Sequence, residues 1–287
     1  MKILTTTTSS FDIIYHMTDQ GKEQQVNIEP DVAVTRNFLE AHKVPLAQGL
    51  IDILRSSKII LIGDAHTPAG ERLRTDIAST LPQLSAEGGI TSVAVELDSI
   101  HQQRVDDLEA DNPDLESAIS DIAPAGWYPG NIAFLVAAKR LGLKIICIDL
   151  TNRQKNSLSK NNTMWQNMRN SHMFQSLEKT ITEDDKILVL VGADHIHRQI
   201  VERGVGLESI RPLGMRLTEK YGDSLIRSVR PAYREGGGHF DNLLPFMSKT
   251  PTIAEVINKD DPITIVPDQG PVKGDSRVSA TDYVVIA

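Results

Sequence analysis

The stretch KILVLVGADHIHRQ, residues 186–199, decides the fold. Ile187 to Val191 is an unbroken apolar run, short enough for a strand and too uniformly apolar for one with a face in water. The run breaks at Gly192, and Asp194 and His195 follow at once. KIILIGDAHTPAG, residues 58–70, repeats the design with an apolar run, Gly63, two residues and then His66. A residue without Cβ lets the chain turn sharply off a strand and approach a neighbour closely, so each glycine marks a strand end that delivers a polar group. SVAVEL (92–97) and KIICIDL (144–150) are further Ile- and Val-rich runs, and they carry Glu96 and Asp149 near their ends.

Segments with helical spacing separate these runs. AGERLRTDIASTLPQL (69–84) places Leu73, Ile77 and Leu81 on one face. PGNIAFLVAAKRLGLK (129–144) opens with Pro129, and Gly142 is placed to stop the helix before the next strand. TMWQNMRNSHMFQSLEKTI (163–181) suggests a core stripe of Met164, Met168, Phe174 and Leu177, with Glu178, Lys179 and Glu183 toward solvent. Alternating strands and helices predict a three-layer α/β/α fold with a largely parallel central sheet, mixed at its edges. The 287 residues suit one α/β domain. It divides into an irregular N-terminal extension (1–45), a core with both G-x-x-H motifs (46–215), and C-terminal strands and loops (216–287). SLIRSVRP (224–231), PITIVP (262–267) and DYVVIA (282–287) are the expected late strands; REGGGHFDN (234–242) and PDQGPVKGDSR (267–277) are expected loops.

The formal net charge is −8, and no run of Lys and Arg with interleaved aromatics occurs, so nucleic acid is not an expected partner. The opening MKILTTTTSSFDIIYH has a Thr/Ser tract where a signal peptide would be apolar, and no run approaches the roughly 18 apolar residues of a membrane span. A cytoplasmic location is the expectation. Cys147 is the only cysteine, which excludes an internal disulfide and thiolate metal clusters; a small buried hydrophobe is its expected role.

In an open α/β sheet the functional crevice lies outside the carboxyl ends of the strands. His66, Glu96 and His195 come from three such ends and can converge. Two imidazoles and a carboxylate can hold a divalent transition metal (Mn, Co, Zn or Fe) while leaving positions open for water and substrate. They can also work without metal, one His taking a proton from water while Glu96 fixes a tautomer and the other His steadies an oxyanion. Asp64 and Asp194, each close before its His, are candidate supports for those imidazoles. Asp149 is a fourth strand-end polar group. His197 and His172 lie near the expected site, and Trp127 and Tyr128 in PAGWYPG (124–130) form either a cleft wall or loop packing. Gly236 to Gly238 is not a phosphate cradle, because the Lys-Ser/Thr of a P-loop is missing.

The paired segments Gly63-Asp64-Ala65-His66 and Gly192-Ala193-Asp194-His195, with Glu96 between them, resemble the superfamily of erythromycin esterases, ChaN-like haem-uptake proteins and the Tiki and TraB/PrgY peptidases. The likeness extends through GDAHTPAGE, similar to the esterases' G-E-x-x-H-G segment followed by a Glu, here Glu71. It continues through Arg169, Asn170 and Met173, similar to an R-[DN]-x-x-M helix, and through RPLGMRLTEKYGDSLIRSV and DYVVIA. It spans roughly residues 46 to 287. The resemblance implies a cleft lined by His66, Glu96 and His195, with Arg169 as an anion or oxyanion contact and Asp64, Glu71, Asn170 and Asp194 in support. It also implies either a hydrolase of ester or amide bonds acting on a small molecule or peptide through activated water, or a protein that binds haem or a metal without turnover. The sequence departs from the esterase pattern in having Asp64 in place of Glu, with a shorter spacing to its His, and from the Tiki pattern in having no evident signal or anchor.

Overall fold

The computed structural model describes residues 14–17, 23–26, 32–64, 70–124, 127–157, 162–201, 209–232, 263–267 and 282–286. In chain order the strands are β1 (Ile14–Met17), β2 (Glu23–Val26), β3 (Val44–Pro45), β4 (Ile59–Asp64), β5 (Ser92–Asp98), β6 (Lys144–Asp149), β7 (Ile187–Gly192), β8 (Ile226–Ala232), β9 (Thr264–Pro267) and β10 (Tyr283–Ile286). The α-helices are α1 (Val32–His42), α2 (Leu46–Ser56), α3 (Glu71–Gln83), α4 (Gln102–Asp106), α5 (Leu115–Ser120), α6 (Pro129–Arg140), α7 (Asn152–Ser157), α8 (Asn162–Thr180) and α9 (Leu213–Tyr221). The main sheet has the order β3-β9-β10-β8-β4-β7-β5-β6. Every neighbouring pair from β10 to β6 is parallel, and β9 runs antiparallel to both its neighbours, which makes the sheet mixed at one edge.

The side-chain period of two along a strand sorts the core into two layers. Ile60, Ile62, Val93, Val95, Leu188 and Leu190 face α2, α3 and α6, where Leu50, Leu73, Ile77 and Phe134 complete one apolar cluster. Ile59, Leu61, Ala94, Ile187, Val189 and Val191 face the other way, against Met173 and Leu177 of α8 and Leu213 and Leu217 of α9. Burial on both faces is why these strands are apolar at every position. The three-layer α/β/α reading holds. Gly142, at φ +69°, follows the end of α6 in the left-handed region that favours glycine. Cys147 is buried, and burial pushes its thiol up to about 12.

Two expectations are corrected. The inward stripe of α8 is Arg169, Asn170, Met173 and Leu177, whereas Met164 and Met168 are 50% and 40% exposed. Two of the inward positions are polar, which rotates the apolar signal away from the true face. The N-terminal stretch is more regular than its sequence suggests. Its described parts hold the antiparallel pair β1–β2, in register at Ile14 and Val26, and the helix α1; strands of four residues are too short to show a period. The loops at 234–242 and 268–277, with Gly236 to Gly238, lie outside the described residues.

Candidate functional site

Parallel pairing sets the ends of β4 and β7 side by side, with Gly63 opposite Val191 and Asp64 opposite Gly192. The glycine at 63 is needed for this approach. A Cβ there would lie 2.9 Å from Ile196 Cδ1 and 3.2 Å from Ala193 Cα, so the turn after β7 rests against the end of β4. Gly214, near the start of α9, packs against the same turn from the other side; a Cβ there would overlap the Ile196 carbonyl and stand 2.7 Å from His197 O.

Glu96 sits where the β5–β6 pairing shifts register, between Val95 opposite Cys147 and Asp98 opposite Asp149. Such irregularities re-aim side chains at strand ends. Glu96 shares the parity of Ala94, whose side chain belongs to the α8 layer, and Arg169 of α8 meets it there. Oε1 of Glu96 accepts from Arg169 Nη2, and Oε2 accepts from the Gly192 backbone N–H at 2.7 Å. Arg169 is held on its other flank by Asp149, with Nε donating to Oδ1 at 2.9 Å and Nη2 to Oδ2 at 2.8 Å. Asp149 is pinned in turn by the Leu150 N–H at 2.8 Å and by Lys155 at 2.6 Å, which also pairs with Asp98 at 2.7 Å. The Trp165 ring covers the guanidinium at 4.6 Å. Burial works against the charge of Arg169, but Glu96 and Asp149 outweigh it and raise the pKa above the ordinary arginine value.

His195, in the turn after β7, is buried. Its Nδ1 lies 2.6 Å from Asn170 Oδ1, which also accepts the Leu213 backbone N–H at 3.2 Å. A backbone N–H can only donate, so it identifies this atom of Asn170 as the amide oxygen, and Nδ1 must carry the proton that reaches it. Nε2 is then the basic nitrogen, and it lies 3.8 Å from Glu96 Oε1. Burial lowers the pKa of His195; the Glu96 carboxylate pulls it upward and Arg169 adds to the lowering. The ring is therefore neutral at pH 7.

The remaining candidates divide clearly by position. Asp64 is turned to the opposite face of the sheet, onto buried Arg74 of α3 at 2.6 Å. Arg74 also reaches Glu71 at 3.3 Å and carries Tyr128 over its guanidinium at 4.6 Å, while Glu71 accepts the Gly130 N–H at 2.7 Å. Asp194 receives a long hydrogen bond of 3.4 Å from Gln166. His197 is buried in the turn, Trp127 packs against the apolar core, and His172 faces Ser99. His66 lies outside the described residues. Sequence reasoning missed Arg74, Trp165 and Lys155. Arg74 had a signal, because it falls within the inward stripe Leu73, Ile77, Ala78 and Leu81 of α3.

No family model and no curated protein matches the sequence. Solved structures do. A succinoglycan biosynthesis protein superposes with a TM-score of 0.62 over 90% of this chain and 96% of its own, at 11% identity. Erythromycin esterase EreC, in its open conformation, gives 0.58 over 83% and 92% at 12% identity. The fold is that of erythromycin esterase and ChaN. ChaN of Campylobacter jejuni, a protein that binds haem cofacially, matches with a TM-score of 0.50 over 95% of each chain at 14% identity. No helix of the described residues is long and apolar enough to cross a membrane. Among the described residues no three His, Cys, Asp or Glu side chains are placed to share a metal ion. Glu96 Oε1, the oxygen near His195, already faces the positive charge of Arg169, so the described part of a His66–Glu96–His195 shell does not suit a cation unless Arg169 moves.

Proposed function

We propose that this protein is a hydrolase of ester or amide bonds, with His195 as general base and water as nucleophile. The observation that carries the reading is the committed tautomer of His195: Asn170 holds Nδ1–H, and neutral Nε2 is left beside Glu96 and Arg169. Nε2 takes a proton from water as the water oxygen attacks the substrate carbonyl carbon. The imidazolium that forms is balanced by Glu96, and it then passes its proton to the departing oxygen or nitrogen. Arg169, clamped by Asp149, stabilises the oxyanion as a fixed cation that needs no reorganisation. His66, from the neighbouring motif, is assigned to the same oxyanion. The test is a panel of small-molecule esters, then peptides, assayed with and without added Zn²⁺ or Mn²⁺. Turnover that is lost in His195→Gln supports the reading, and no turnover of any substrate opposes it.

A second reading, binding of haem or a transition metal without turnover, has the fold shared with ChaN in its favour. It predicts a stoichiometric Soret shift on titration with haemin, or a metal near one equivalent in the purified protein, with no hydrolysis.

A further inference from the structure

Three residues beyond Glu96 on the same chain, Ser99 opens the short helical turn that follows β5. His172 lies one helical turn beyond Arg169 on α8, and its Nε2 is 3.2 Å from Ser99 Oγ. Both residues are half-buried. The ring lies within the field of the Asp149 carboxylate. With its proton on Nδ1, the ring presents Nε2 to accept from the Ser99 hydroxyl. A nucleophile and a base therefore stand within hydrogen-bond reach of each other.

We infer that Ser99 and His172 form a second reactive site, one that accepts acyl groups from activated esters, on the elements that carry Glu96 and Arg169. The Ser99 hydroxyl proton moves to His172 Nε2 as Oγ bonds to the acyl carbon; the bond to the leaving oxygen breaks, and that oxygen takes the proton from His172. Water then attacks the acyl-serine with His172 as base, its proton returns to Oγ, and the products are the acid and the alcohol. Burial lowers the His172 pKa and outweighs the pull of Asp149, with Lys179 adding to the lowering, so the ring is a neutral base at pH 7. The pair shares no hydrogen bond with His195, and the two chemistries are separable by mutation.

The experiment is a brief exposure of the full chain to p-nitrophenyl acetate, followed by peptide mass spectrometry. One acetyl group is expected on the Ser99 peptide, absent in Ser99→Ala and formed roughly 100-fold more slowly in His172→Gln. The same label in His195→Gln would show that it does not depend on the water-activating site, so that failure of either proposal leaves the other standing. Acetylation confined to lysines, or a Ser99 label that forms at the same rate in His172→Gln, would overturn the inference. Thermal melts of Ser99→Ala and His172→Gln equal to wild type confirm that each variant is folded when it is scored.

Discussion

Two strand-end carboxylates in this molecule each meet an arginine from a covering helix, and they end in opposite circumstances. Asp64 and Arg74 are sealed, with side chains 1% and 0% exposed. Glu96 and Arg169 are each 11% exposed, and His195 stands beside them. The sheet's parity makes the division. Asp64 is in phase with Ile60 and Ile62 and points into the α3 layer, whereas Glu96 is in phase with Ala94 and points toward α8. Equal chemistry on opposite faces gives a sealed internal brace on one side and, on the other, a partly exposed pair with an imidazole beside it, to which the proposed function assigns water activation. A charged pair is therefore read by what else can reach it.

The comparison can be broken by attacking each pair in turn. Arg74→Ala removes the positive charge that meets buried Asp64, and is expected to cost roughly 3–5 kcal/mol in chemical denaturation; an unchanged midpoint would show that the brace is dispensable. Asn170→Leu frees Nδ1 of His195 to lose its proton to the wrong tautomer. It should lower kcat for an ester roughly 100-fold, with about 1–3 kcal/mol of stability lost through the unpaired Leu213 N–H.

A smaller and pH-dependent effect follows from His195. Its pKa is lower in the folded protein than the ordinary 6.5, so below that value the unfolded chain binds more protons. Stability from this group is fully present above pH 6.5 and is lost as pH falls through the folded value. A His195→Gln variant should flatten that acid limb in urea titrations at stepped pH. Hydrolysis should share the sign, falling only on the acid side. Gln166→Ala, which removes the 3.4 Å bond to Asp194, should change stability by no more than about 0.5 kcal/mol and leave kcat alone; a large effect would bring Asp194 into the site.

Much of this was legible in the residues. The apolar runs gave β4 to β7 because strands buried on both faces need no polar alternation, and the paired glycines marked where the chain leaves them. Glu96 and His195 lie at strand ends, as the sheet logic expects, whereas Arg169 comes from helix α8 and was named only through the family resemblance. The support of His195 was harder to read. Asp194 is near in sequence, yet the partner is Asn170, supplied by a helix whose inward face carries two polar residues and so presents a misleading apolar stripe. The register shift beside Glu96 leaves no mark in composition, because it changes a pairing and not a residue type. Arg74 was visible in principle, as an arginine on the buried stripe of α3 that requires a carboxylate, and the parity of Asp64 on β4 names which one.

The most direct test of the central claim is kcat for hydrolysis of one ester by wild type, His195→Gln and Glu96→Gln at pH 7, with each variant's melting curve recorded alongside. Loss of roughly 100-fold or more in both variants, with folding intact, is the predicted result. Hydrolysis at the wild-type rate in either folded variant would contradict the assignment of water activation to this pair.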